Sequence, residues 1–259
     1  MAVERVAYIN GNIVPESEAR VSIRDRGFLY GDAVFDTTRT FGGEIFKLTE
    51  HLDRLYESLK YMRIDPEMNK EQMADITMQV LKENLKLIDA DDDFWVSQRI
   101  TRGVRNKGSV TDISGGPTVI IECYPLPFVE RAEYYRDGLP IVVPSIRRTP
   151  PESMSPRAKV HNYINMVQGD LEVQSQNPDA WALLLDTNGN LAEGIGSNFF
   201  IVKDGAVITP KKQFILGGIS RQTVIDLAEE IGIEVREADI DLFDAYTADE
   251  AFVTSTSFC

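Results

Sequence analysis

Apolar positions along this chain recur in two rhythms, and each marks a different kind of element. Val6–Ile9 and Asn12–Val14 flank Asn10-Gly11, the residue pair of a tight β-hairpin. Val34–Phe41, rich in β-branched and aromatic residues, predicts a strand that Gly42-Gly43 turns back into Glu44–Leu48. A three-to-four spacing then takes over. Thr49 is the expected N-cap, Glu50 stands in the first turn, and Leu52, Leu55, Tyr56, Leu59 and Met62 share one face, with Arg54 nearly opposite. A second helix is predicted from Lys70 to Asn84, with Met73, Ile76, Val80 and Leu81 inward. Phe94–Thr101 and Thr118–Tyr124 read as strands. In the second half, Leu139–Val143, Ala182–Leu185, Phe199–Val202, the hairpin arm to Ile208, Glu234–Asp239 and Ala251–Ser257 are extended. Helical spacing returns at Val160, Ile164, Val167 and Leu171, and again from the Leu216–Ser220 stretch to Ile231, where Gly232 ends it. Between the halves lies a run carrying Pro125, Pro127 and many charges. It predicts domains over 1–124 and 139–259 joined by a linker over 125–138.

Composition narrows the functional classes. The 259 residues are 43% hydrophobic and 26% charged, as in an ordinary globular protein. A net charge of -14 argues against a nucleic-acid partner, which needs a basic face, but leaves room for one small phosphorylated ligand. No apolar run reaches the roughly 18 residues of a membrane helix, and no signal-peptide core stands at the N-terminus. Two cysteines, Cys123 and Cys259, give no disulfide framework, so a cytoplasmic location is expected. Only two histidines are present, without the spaced carboxylates of a metal site, so no metal is expected.

Three local features carry chemistry. Lys159 follows a proline-rich lead-in (Thr149–Pro156) that restricts the backbone before it. Glu193 is an isolated acid in a glycine-rich turn. Gly217-Gly218-Ile219-Ser220 opens a helix, where backbone N–H groups and a hydroxyl favour an anion such as phosphate; Thr254–Ser257 offers further hydroxyls. A basic loop, Arg102-Gly103-Val104-Arg105-Asn106-Lys107, stands out in an acidic protein. Taken singly, each feature is common on protein surfaces. Together, a lysine, an acid and a phosphate site suit a pyridoxal phosphate enzyme.

The ordered motifs sharpen this. Tyr30-Gly31 with Val34-Phe35, Glu50-His51-Leu52 with Arg54-Leu55, Lys159 with Asn162-Tyr163, Glu193-Gly194 with Gly196-Ser197-Asn198, Gly218-Ile219-Ser220-Arg221 and Thr254-Ser255-Thr256 resemble the class IV aminotransferases over nearly the whole chain. The resemblance implies a fold-type IV α/β enzyme, with a smaller N-terminal α/β domain and a larger, mainly-β C-terminal domain carrying helices. It also implies a homodimer that uses pyridoxal 5′-phosphate. Lys159 matches the lysine that forms the Schiff base and shuttles the α-proton. Glu193 matches the acid at the ring nitrogen, and Tyr163 the phenol at the ring oxygen. Arg54, Ile219, Ser220 and Thr256 match the phosphate cup, with Ser197, Asn198 and Ser255 as further cofactor neighbours. Tyr30, Phe35, Arg39, Arg102 and Arg105 fall on the substrate side. The implied reaction moves an amino group between a branched-chain amino acid and a 2-oxo acid such as 2-oxoglutarate. The alternatives are an (R)-amine or D-amino acid transaminase, and an aminodeoxychorismate lyase. The family pattern also extends beyond the last predicted strand, whereas this chain ends at Cys259, so the C-terminal domain is expected to lack its last segment.

Overall fold

The computed structural model describes residues 4–89, 92–105 and 114–257; Lys107 and Cys259, singled out above, lie outside them. The chain divides into two compact units. Unit 1 comprises 1–126 together with 158–162, and unit 2 comprises 127–157 with 163–259.

Unit 1 is an antiparallel sheet with two helices on one face. Strands β1 (Val6–Ile9) and β2 (Asn12–Pro15) form the predicted hairpin, with Asn10 and Gly11 both at positive φ (44° and 94°), as a primed turn requires. A short helix α1 (Arg26–Tyr30) leads into β3 (Ala33–Phe41) and β4 (Glu44–Ile45). Helices α2 (Leu48–Met62) and α3 (Lys70–Asn84) precede β5 (Phe94–Thr101) and β6 (Thr118–Pro125). The strand order is β2-β1-β6-β5-β3-β4. Alternate residues Val34, Phe94, Val96, Ile100, Val119 and Ile121 are buried, as are Leu52, Leu55 and Leu59 of α2 and Met73 and Val80 of α3. Period-2 strands and period-3.6 helices thus supply one core. Helix α2 begins at Leu48, one residue before the expected cap; Lys47 holds the N-cap position at φ 50° without a side-chain cap bond.

In unit 2 the stretch expected as a linker carries a helix, α4 (Phe128–Asp137). There follow β7 (Ile141–Val142), α5 (Ile164–Gln174), β8 (Trp181–Leu185), β9 (Leu191–Gly194), β10 (Asn198–Lys203) and β11 (Ala206–Pro210). The chain finishes with α6 (Ile219–Glu230), β12 (Val235–Ala238), α7 (Leu242–Tyr246) and β13 (Glu250–Thr254). The sheet runs β12-β11-β10-β9-β8-β7, with β13 also paired to β10. Leu183, Leu185, Leu191, Phe199, Ile201 and Ile240 form one buried cluster; Met166 and Val173 of α5 form another with Ala182 and Leu184.

Lys159, placed by pattern in the second half, belongs to unit 1, because its segment pairs with β3. Val34 and Val160 form an antiparallel bridge, so the helix expected from Val160 starts only at Ile164. Among the described residues no helix is long and apolar enough to cross a membrane, and no group of three His, Cys, Asp or Glu side chains is arranged to hold a metal.

Candidate active site

Unit 1 mounts Lys159 by its backbone. The Phe35 N–H donates to the Lys159 carbonyl and the His161 N–H to the Ala33 carbonyl, each at 3.0 Å. From the other side, the Lys159 N–H donates to Ser58 Oγ at 3.1 Å, and the Ser58 hydroxyl donates to the Arg54 carbonyl at 2.9 Å. Both backbone polar groups of Lys159 are therefore satisfied, one by β3 and one by α2. Its Nζ lies 4.6 Å from the Phe35 ring centroid, within cation–π reach. The edge of the His161 ring meets the same phenyl group at 5.3 Å.

Arg54 is fixed by a carboxylate that no local pattern announces. Asp36, fully buried on β3, accepts Arg54 Nε at 2.8 Å and Nη2 at 2.7 Å, and the His51 Nδ1–H at 2.7 Å. Burial alone would push the Asp36 carboxyl up; the Arg54 guanidinium and the His51 bond instead hold it well below the usual carboxylate range. His51 is driven below its ordinary pKa by burial, against the pull of Asp36, so it is neutral at pH 7. His51, Arg54 and Ser58 lie at i−3, i and i+4 on α2, a second inward stripe beside the leucine face. This edge of α2 is thus turned inward, while Glu50, Asp53, Glu57 and Lys60 keep the far side of the helix in solvent.

The three arginines expected on the substrate side fare differently. Arg39 is buried against its own strand: Nε donates to the Thr40 carbonyl at 3.1 Å, Nη2 is 3.7 Å from Asp93, and its guanidinium carbon lies 4.0 Å from the Phe41 ring centroid. Arg102 grips Asp32 through Nε (2.6 Å) and Nη2 (2.9 Å) and also donates to the Met62 and Arg63 carbonyls, both at 2.8 Å. It therefore closes the C-terminal end of α2, where carbonyls lack helical partners. Arg105, in contrast, donates from Nη1 to Tyr30 Oη at 3.0 Å, and both side chains meet solvent.

Unit 2 centres on Glu193 at the end region of β9, 3% exposed. Its Oε1 accepts Arg148 Nε at 2.8 Å and its Oε2 accepts the Leu216 N–H at 2.8 Å. Nothing local in the sequence points to Arg148, because 45 residues separate the partners. Asn198 opens β10, opposite Glu193 and Thr254 in the ladder, and its Nδ2 donates to the Leu216 carbonyl at 2.9 Å. Asn198 Oδ1 occupies the space a Cβ at position 218 would need, so Gly218 is required where the chain turns into α6. Ile219 and Ser220 form the first turn of that helix, Ser197 lies buried beside Gly194, and Tyr163 holds the N-cap of α5. Ser255 and Thr256 follow β13 directly.

These donors fit a phosphorylated ring compound with a basic nitrogen. The helix start suits an anion, and the Glu193 carboxylate suits a cationic nitrogen. Thr254 Oγ1 is buried without a hydrogen-bond partner, an acceptor or donor still to be matched.

Comparison with known proteins points the same way. Residues 33–259 match the family described as amino-transferase class IV. A Methanocaldococcus jannaschii protein, provisionally named a branched-chain-amino-acid aminotransferase, is 41% identical over 252 residues, covering 96% of this chain and 84% of that protein. The aminodeoxychorismate lyase of Bacillus subtilis is 34% identical over 255 residues, covering 96% and 82%. Among solved structures, the Escherichia coli branched-chain amino acid aminotransferase superposes with a TM-score of 0.91 at 29% identity, covering 98% of this chain and 84% of that one. The T.th. branched-chain enzyme complexed with N-(5'-phosphopyridoxyl)-L-glutamate gives 0.87 at 28% identity, covering 98% and 82%.

Proposed function

Because the chain belongs to the class IV aminotransferases, pyridoxal phosphate enzymes of fold type IV, we propose that it exchanges an amino group between a branched-chain amino acid and a 2-oxo acid such as 2-oxoglutarate. The observation that carries this reading is the mounting of Lys159 by both backbone groups, beside an arginine oriented by buried Asp36. By the family resemblance, Arg54, Lys159, Tyr163, Glu193, Ser197, Asn198, Ile219, Ser220, Ser255 and Thr256 are the residues that would hold the cofactor. When bound, the cofactor supplies an electron sink for the carbanion left by α-proton removal. Lys159 is the base that takes this proton and returns it. Arg54 binds the phosphate, oriented by Asp36. Glu193, oriented by Arg148, is the acid that would pair with the ring nitrogen. Phe35 provides an apolar wall, and Tyr30 with Arg105 binds the substrate carboxylate. A homodimer in the cytoplasm completes the reading.

The 34% identity to an aminodeoxychorismate lyase supports a second reading, a cleavage that releases pyruvate without an amino acceptor. One panel separates them. Purified protein with pyridoxal 5′-phosphate is given L-leucine, D-alanine or (R)-1-phenylethylamine, each with 2-oxoglutarate or pyruvate, and separately aminodeoxychorismate alone. Transamination of L-leucine with matched consumption of 2-oxoglutarate is expected. Pyruvate release from aminodeoxychorismate without any acceptor, and no L-leucine turnover, would replace it with the lyase.

A further inference from the structure

We propose that Ser58 is a positioning residue that sets the backbone of Lys159 relative to Arg54, an inference that rests on reading Lys159 as the cofactor-linked lysine. The side chain is 1% exposed. A serine hydroxyl has one proton to give and lone pairs to receive, and here both functions are used. The proton goes back one helical turn to the Arg54 carbonyl at 2.9 Å, while the oxygen receives the Lys159 N–H at 3.1 Å. Ser58 and Lys159 are 101 residues apart in sequence, yet a single oxygen atom ties the lysine to the helix that carries Arg54. Phe35 completes the mount by donating to the Lys159 carbonyl at 3.0 Å. Lys159 is thus gripped at its N–H by α2 and at its carbonyl by β3, and of these two grips the one on α2 is made by a side chain that mutation can remove.

The bland alternative is a serine that merely satisfies its own helix by bonding back to residue 54. The two roles differ in what a substitution should do. Alanine is the better helix former, so Ser58→Ala leaves α2 intact or firmer, and a purely helical role predicts no change at Lys159. A positioning role predicts a loosened Lys159 amide and a slower amine.

Hydrogen–deuterium exchange on the full-length protein reads the first, without cofactor turnover. Incubation with pyridoxal 5′-phosphate, followed by borohydride and mass mapping of the Lys159 peptide, reads the second. Ser58→Ala is expected to speed exchange of the Lys159 amide about tenfold and slow adduct formation by a similar factor. Cofactor occupancy at saturation should be unchanged, because Asp36 still orients Arg54. Ser58→Thr, which keeps the hydroxyl, should restore both rates. Wild-type exchange and wild-type adduct rate in Ser58→Ala would overturn the proposal, as would failure of Ser58→Thr to rescue. Wild-type protein that yields no adduct on the Lys159 peptide would instead overturn the cofactor reading. The exchange rates would then decide separately whether Ser58 holds residue 159.

Discussion

Two buried ion pairs, Arg54–Asp36 in unit 1 and Arg148–Glu193 in unit 2, use the same chemistry with opposite emphasis. In the first, the carboxylate is fully enclosed and accepts Arg54 at both oxygens, with Oδ1 shared between Arg54 and His51. On the proposed function Asp36 is a support, and the arginine is the partner offered to a ligand. In the second, the proposed roles reverse: Arg148 supports, and Glu193 is the group assigned to the cofactor. Their second partners differ too. Asp36 is backed by an imidazole from the same helix as Arg54, so the pair locks α2 onto β3. Glu193 is backed by the Leu216 N–H, so that pair locks β9 onto the loop entering α6. The desolvation penalty of an ion pair is the same in either direction; which member faces a ligand is set by which elements the other member must join.

The widest cut through this comparison is at the reacting groups. Lys159→Ala should lower kcat by about 10⁴-fold or more, since it removes the amine placed to move the proton. Glu193→Gln, which preserves shape but not charge, should cost about 10²–10³-fold. Steady-state kinetics on cofactor-loaded protein check both, and equal losses would mean that the two units do not divide the chemistry as described.

The supports come next. Asp36→Ala and Arg148→Ala each strand a buried opposite charge, so each should cost about 3–5 kcal/mol of stability in urea unfolding. They should differ in function. Asp36→Ala should weaken pyridoxal 5′-phosphate binding, because Arg54 is released. Arg148→Ala should leave phosphate affinity nearly intact and lower kcat, because Glu193 loses the guanidinium that orients it. Identical binding and kinetic phenotypes would erase the distinction between the pairs.

A smaller effect separates the arginines of unit 1. Arg102→Ala removes four hydrogen bonds to Asp32, Met62 and Arg63. It should destabilise the protein by about 1–3 kcal/mol with KM for the oxo acid unchanged. Arg105→Ala should do the reverse, leaving the melting temperature in place and raising KM about tenfold. A raised KM in Arg102→Ala at unchanged stability would restore it to the substrate pocket.

What is legible without coordinates is whatever is written locally. The hairpin at Asn10-Gly11, α3 and β5 are carried by turn chemistry and periodicity, and these elements stand where the spacing puts them. Helix α1 leaves no periodic trace because five residues are too few for one, although Asp25 accepts the Gly27 N–H as an N-cap and Gly31 closes the helix at φ 66°. Helix α4 reads as a linker because half of its residues are charged and its apolar Val129 is 88% exposed, so no apolar stripe announces it. The pattern starts α5 too early because Val160 keeps helical spacing while pairing with β3. The supporting residues of the site are hidden for another reason. Asp36, Ser58 and Arg148 acquire their roles from partners 18, 101 and 45 residues away, and no local pattern encodes such a meeting. Motif resemblance locates the groups expected to touch the cofactor but not the groups that hold them.

The smallest effect again divides the units, this time by acid sensitivity. Both histidines, His51 and His161, lie in unit 1. Burial pushes His161 down to about 4, helped by the Arg99 guanidinium and opposed by Asp25, and its Nε2 is enclosed without a hydrogen-bond partner. A histidine whose folded pKa lies below its unfolded value near 6.5 takes up its proton first in the unfolded chain. Acidification through that value therefore favours unfolding, until the folded form also protonates near 4. His161 thus lowers stability as pH falls across this window, by at most about 1.4 kcal/mol per pH unit for one proton. Asp36 adds nothing here, since its depressed pKa keeps its contribution intact above the ordinary carboxylate range and loses it only in stronger acid. His161→Phe should therefore reduce the dependence of the urea midpoint on pH between about 6.5 and 4, leaving the part due to His51, whose pKa burial also lowers, and leaving the curve above about pH 7 parallel to wild type. A wild-type slope in that variant would mean that the imidazole charges freely in the folded protein, and that the wall beside Phe35 and Lys159 is wetter than its enclosure implies.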